Sequence, residues 1–159
     1  MRLILLTLFL SIISYSQDKY LNSVYSEILG SGGLYSFNYE RMISDRNSIR
    51  VGISYVDLSH SWLDVKYVSA PLMYSQYFFS QRNQLELSGG VVLVAKYSIN
   101  STSDDDSFYR DVNGINGVTY IGYRDWNEES KIVFRFGCAQ LFNNHSIGIT
   151  GGLSVGYIF

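Results

Sequence analysis

From residue 20 to the last residue, apolar side chains return at every second position, and short polar clusters break the run into segments. A period of two belongs to extended backbone, because successive side chains of a strand point to opposite faces. The pattern predicts eight strands, near 20–29, 34–43, 48–57, 66–79, 84–97, 117–125, 131–141 and 147–159. Apart from the leader described below, the longest purely apolar run is Val91–Ala95. That is far short of the roughly 20 apolar residues a membrane-crossing helix needs. The chain is therefore read as all-β.

The two rows of each segment differ in kind. In "LYSFNYER", Tyr35, Phe37 and Tyr39 oppose Ser36, Asn38 and Glu40. In "SIRVGISY", Ile49, Val51, Ile53 and Tyr55 oppose Arg50, Gly52 and Ser54. In "LELSGGVVLVAK", Leu85, Leu87, Val91, Leu93 and Ala95 oppose Glu86, Ser88, Gly90 and Lys96. "KIVFRFGC" sets Ile132, Phe134, Phe136 and Cys138 against Arg135 and Gly137, and the last segment sets Leu153, Val155, Tyr157 and Phe159 against Gly152, Ser154 and Gly156. A water-soluble sheet buries its apolar row and shows solvent a polar row. Here the polar row is mostly Ser, Gly and Asn with a few charges, which suits the crowded interior of a narrow barrel. The apolar row then meets lipid. Backbone groups left unpaired in lipid each cost several kcal/mol, so such a sheet must close on itself. The predicted fold is an eight-stranded antiparallel up-and-down transmembrane β-barrel. Composition agrees: 14 Tyr, 14 Gly, one Pro and 16% charged residues, against about 25% charge in an average soluble domain.

The opening "MRLILLTLFLSIISYSQ" has one basic residue, an apolar core over Leu3–Ile13 and small residues before Gln17. This is the layout of a secretory signal peptide, with cleavage expected after Ser16. The expected organisation is a leader over 1–16 and a barrel domain over 17–159. The links at 44–47, 80–83 and 126–130 are short and polar, whereas those at 58–65 and 98–116 are long. Outer-membrane barrels have short periplasmic turns and longer external loops. Tyr20, Trp62, Tyr67, Tyr77, Tyr97 and Trp126 lie near predicted strand ends, where interfacial aromatic girdles are expected.

Five charged residues fall in the inward row: Glu40, Arg50, Glu86, Arg124 and Arg135. Glu40 and Arg50 flank the 44–47 hairpin and should be cross-strand neighbours. Unpaired buried charge is costly, so the five should pair in the lumen. An eight-stranded barrel is just wide enough to hold its side chains, and a structural polar plug is expected in preference to a gated pore. The formal charge of −2 and the lack of a basic run exclude nucleic acid as a natural partner. Cys138, the single cysteine, points outward by parity and suits lipid contact. Asp104, Asp105, Asp106 and Asp111 make the long link acidic, without the alternating spacing and glycine of a calcium loop. No metal, cofactor or catalytic residue is predicted. His60–Ser61 and His145–Ser146 are adjacent pairs in predicted loops; adjacent residues of a strand face opposite ways, so neither is a ready dyad.

The segments "LYSFNYERMISDRNSIRVGISY", "APLMYSQYFF", "NQLELSGGV", "YIGYRDW", "FRFGCAQLF" and "GGLSVGYIF" resemble the small outer-membrane β-barrel proteins common in Bacteroidota, which are similar in architecture to the OmpA and OmpX transmembrane barrels. The resemblance implies a monomeric, non-enzymatic protein of the Gram-negative outer membrane. Its role would be structural, adhesive or minor solute passage, with membrane lipid and lipopolysaccharide as partners. The end of the chain also resembles the signal read by the barrel-assembly machinery, with Tyr157 and Phe159 as its two aromatics; the glycine common five residues from the end is replaced by Ser154. Two other readings stay open. One is a barrel-embedded hydrolase modifying lipid A. The other is a soluble periplasmic β-barrel holding an apolar ligand, which would need an apolar inward row.

Overall fold

The computed structural model describes residues 21–60, 63–80, 82–101, 114–143 and 147–159. Its strands are β1 (Asn22–Gly30), β2 (Gly33–Ser44), β3 (Asn47–His60), β4 (Leu63–Phe79), β5 (Asn83–Ser101), β6 (Gly114–Asn127), β7 (Ile132–Phe142) and β8 (Ile147–Ile158). Each pairs antiparallel with its sequence neighbour, and β1 pairs with β8 to close the barrel. The fold is thus an eight-stranded antiparallel up-and-down barrel. The closing ladder runs from Ser23↔Ile158 to Ile28↔Leu153. It is extended by a reciprocal hydrogen-bond pair, Asn22 N to Phe159 O and Phe159 N to Asn22 O, both 2.8 Å.

The alternation decides which way each side chain points. Phe37, Ile53, Phe136 and Leu153 are 55–64% exposed on the outside, whereas Glu40, Arg50, Glu86 and Arg124 are fully buried inside. At ordinary turn positions the backbone departs from strand geometry: Phe79 and Lys131 have φ of 76° and 60°, so each side chain there occupies the sparsely populated left-handed region. Leu29, at φ 55°, sits just before the tight β1–β2 connection and ends the regular alternation of β1.

Two strand pairs run further than their polar patterning suggests. The 58–65 link contracts, because β3 continues to His60 and β4 begins at Leu63, with Asp57↔Lys66 and His60↔Leu63 in register. The 98–116 link shortens in the same way, with β5 reaching Ser101 and β6 starting at Gly114. Backbone pairing needs no apolar face. Asp57 and Lys66, exposed and ion-paired at 3.3 Å, carry the ladder where the apolar row has ended. The leader at 1–16, the acidic residues 104–106 and 111, and His145 lie outside the described residues, as does the side chain of His60.

Candidate functional site

The barrel's inner face is stratified, and each layer follows from inward positions on several strands. At the end where Leu21 and Phe159 lie, Met42, Tyr77, Trp126, Val133 and Ile158 form a buried apolar cluster, with Leu21 packed against it. Toward the other end, Met73, Val92, Val118, Tyr120 and Ala139 form a second. Between them along β6 and β7 lie Arg124 and Arg135. The inward row is therefore not polar throughout, as the sequence pattern suggests. Charged groups concentrate in the middle, with an apolar cluster on either side of it, and buried polar side chains such as Ser69 and Asn116 lie beyond the second cluster. The middle has space because Gly122 and Gly137, a register pair, carry no side chain there: a Cβ at either would meet the Tyr120 hydroxyl at 2.5 or 2.7 Å.

The five charged residues singled out from sequence all sit in this middle layer, 0–3% exposed. Glu40 is the hub. Its carboxylate takes Arg124 Nη1 at 3.3 Å and Arg135 Nη2 at closer range. It also accepts hydrogen bonds from the Ser48 and Tyr77 hydroxyls, and from Ser23 Oγ at 3.3 Å. Glu86 pairs with Arg50 Nη1 at 3.7 Å and Arg135 Nη1 at 3.6 Å, and accepts from Ser75 Oγ at 3.3 Å and Ser88 Oγ at 2.7 Å. Arg135 thereby links the two carboxylates. Tyr25 adds a third tie: its hydroxyl accepts from Arg50 Nη1 at 3.1 Å and Arg135 Nη1 at 3.0 Å. Buried charge of this kind is tolerable when paired and hydrogen-bonded.

Aromatic faces complete the enclosure. The Arg124 guanidinium lies 3.4 Å from the Tyr77 ring centroid and 4.3 Å from that of Trp126, and donates through Nε to Gln84 Oε1 at 2.7 Å. Arg135 lies 4.4 Å from the Tyr25 centroid. A desolvated cation over an aromatic face is worth about 2 kcal/mol or more.

Here the structure corrects the expected girdles. Tyr77 and Trp126 are 1% and 5% exposed and point into the lumen. Half-buried Tyr67 also faces in, its hydroxyl accepting from Leu34 N at 2.6 Å. Nearness to a strand end does not decide the face; parity does. The outward aromatics are others, among them Tyr39, Tyr157 and Phe159. Tyr20 and Trp62, and the side chain of Tyr97, lie outside the described residues.

A sixth charge escapes a reading that starts at the hairpins. Glu27 is 2% exposed and accepts from Ser31 Oγ at 3.1 Å and Ser36 Oγ at 3.2 Å. Ser31 Oγ in turn receives Arg50 Nη2 at 3.4 Å. With Glu27 the buried charges become three arginines and three glutamates among the described residues. The signal was present in "SVYSEIL", where Ser23, Tyr25 and Glu27 share one parity.

Tyr157 and Phe159 lie on the outer apolar face, 55% and 53% exposed, and Cys138 is exposed on the same face. Such an arrangement can fill and hold a lumen.

The architecture has clear counterparts. The N-terminal β-barrel domain of Pseudomonas aeruginosa OprF matches with a TM-score of 0.62 and 13% identity, over 88% of this chain and 96% of that one. Yersinia pestis Ail in a phospholipid bilayer nanodisc matches at 0.47 and 13%, over 88% and 98% of the two chains. Neisserial surface protein A matches at 0.42 and 16%, over 87% and 94%. At these identities the OprF barrel shows a shared fold. No protein-family model matches the sequence, and no curated protein matches it.

Proposed function

We propose that the chain is an exported, integral outer-membrane β-barrel with a structural, adhesive or minor solute-passage role and no enzymatic one. The observation that carries this reading is the inverted polarity of a closed barrel. Leu153, Phe37 and Ile53 stand exposed on the outside, while six charged side chains are buried within. Exposed apolar patches on a soluble protein seldom exceed a few hundred Å², whereas a continuous apolar outer face suits lipid. The same polarity argues against a soluble barrel with an apolar ligand inside.

The network of Glu40, Arg50, Glu86, Arg124 and Arg135 is proposed as a structural plug. Tyr157 and Phe159 are proposed as the signal met by the barrel-assembly machinery, acting on a monomer whose leader has been removed. Membrane lipid and lipopolysaccharide are its proposed surroundings. The test is fractionation of expressing cells, followed by gel mobility of unheated and boiled samples. A heat-modifiable band in the outer-membrane fraction is expected. Recovery of folded protein in the soluble periplasmic fraction would sink the reading.

A further inference from the structure

The outer face of the barrel is not uniformly convex. A largely open apolar groove of about 800 Å³ runs along β1. The cause lies in the register. Val24 and Ser26 are the outward residues of β1 here, and both are small. Val24 stands between Tyr39 and Tyr157, and Ser26 between Phe37 and Val155. Short side chains on one strand and aromatic ones on its neighbours leave a trough with β1 as its floor. Ile28 is the next outward residue, 59% exposed, and it lies beyond the trough lining. The trough is therefore bounded by Ile28 at one end and by Val24, Tyr39 and Tyr157 at the other, one outward position short of the rim where Leu21 and Phe159 lie.

At that rim the chemistry changes. Asn22, the next outward position of β1, pairs with Arg41 of β2. The Tyr39 hydroxyl donates to Asn22 Oδ1 at 2.8 Å, which fixes the amide and leaves its NH₂ free to donate elsewhere. Arg41 is half-buried and makes no ion pair among the described residues. Lys131, exposed, lies beside the end of β8, its carbonyl accepting from Ile158 N at 2.9 Å; Glu128 and Glu129 belong to the same turn. An unpaired guanidinium beside an amide donor is suited to a phosphodiester, because the planar fork matches two phosphate oxygens.

We infer that the β1 groove seats one acyl chain of a glycerophospholipid of the periplasmic leaflet, with the lipid's phosphodiester held by Arg41 and the Asn22 amide. The size fits, since ligand sites commonly span about 300–1,000 Å³. The inference rests on the outer-membrane reading above, which supplies the leaflet.

Native mass spectrometry of the full chain in mild detergent tests it, with phosphatidylglycerol and diacylglycerol of identical chains as probes. One phosphatidylglycerol per barrel is expected, retained at least several-fold over diacylglycerol. Arg41→Gln should remove that preference. Ser26→Trp, which fills the floor, should reduce retention of both probes, while Leu93→Trp on another part of the outer face should not. Equal retention of the two probes by the wild type would overturn the inference, as would an unchanged preference in Arg41→Gln. A dimer whose formation Ser26→Trp abolishes would assign the groove to a second copy instead, and overturn it too. Heat-modifiable mobility of every variant separates this outcome from failure of the barrel itself.

Discussion

Glu40 and Arg50 stand directly opposite each other in the β2–β3 ladder, yet Glu40 makes its ion pairs with Arg124 and Arg135 from β6 and β7. Arg124 and Arg135 are themselves register partners. Two like charges placed opposite one another destabilise a ladder, unless a counter-charge lies between them. Glu40 supplies it, one oxygen toward each guanidinium. Arg50 turns instead to Glu86 and, through Ser31, to Glu27.

This makes Glu40 the shared counter-charge of two arginines. Glu40→Gln leaves Arg124 and Arg135 adjacent without their shared partner. Breaking a buried pair in this way costs about 3–5 kcal/mol. Glu27→Gln keeps hydrogen bonds with two serines and removes a carboxylate that makes no ion pair among the described residues, so its cost should be about 1–3 kcal/mol. Urea unfolding in lipid vesicles, followed by gel mobility, should rank the two variants in that order. The reverse order would show that Glu40 is not the hub.

The close passage of β6 and β7 depends on having no side chain there. A Cβ at Gly137 would come within 2.4 Å of the Ile121 carbonyl oxygen and 2.7 Å of the Tyr120 hydroxyl. Overfilling of this kind costs about 1–3 kcal/mol. Gly137→Ala should lower the unfolding midpoint accordingly. At Gly89, where a Cβ would meet nothing within 4 Å, alanine should leave the midpoint nearly unchanged.

A lumen filled from Met42 and Trp126 at one end to Met73 and Val118 toward the other should not conduct. In planar-bilayer recordings the wild type is expected to show no discrete conductance steps. Reproducible steps from purified, folded protein would replace the plug with a gated pore.

Phe159 contributes one exposed aromatic ring and the last hydrogen-bond pair of the closing ladder. If it also addresses the chain to the assembly machinery, its deletion should sharply reduce folded protein in the outer membrane of cells. Refolding into detergent micelles without that machinery should be little affected. Equal losses in both settings would make Phe159 a stability residue alone.

Strand count, antiparallel order and the face of most side chains were legible in the sequence, because a period of two is a local property of extended backbone. Parity along single segments was enough to send Glu40, Arg50, Glu86, Arg124 and Arg135 inward and Phe37, Ile53 and Leu153 outward. The aromatics Tyr67, Tyr77 and Trp126 were misplaced only where closeness to a strand end was weighed instead of parity. What tertiary structure alone decided is which inward groups meet. That Glu40 reaches Arg135, that Tyr77 and Trp126 enclose Arg124, and that Val24 and Ser26 lie at the bottom of a trough all depend on how β1 closes against β8 and how far each strand is staggered along its neighbour. Those offsets are set by the whole ring of strands at once, and no single segment carries them.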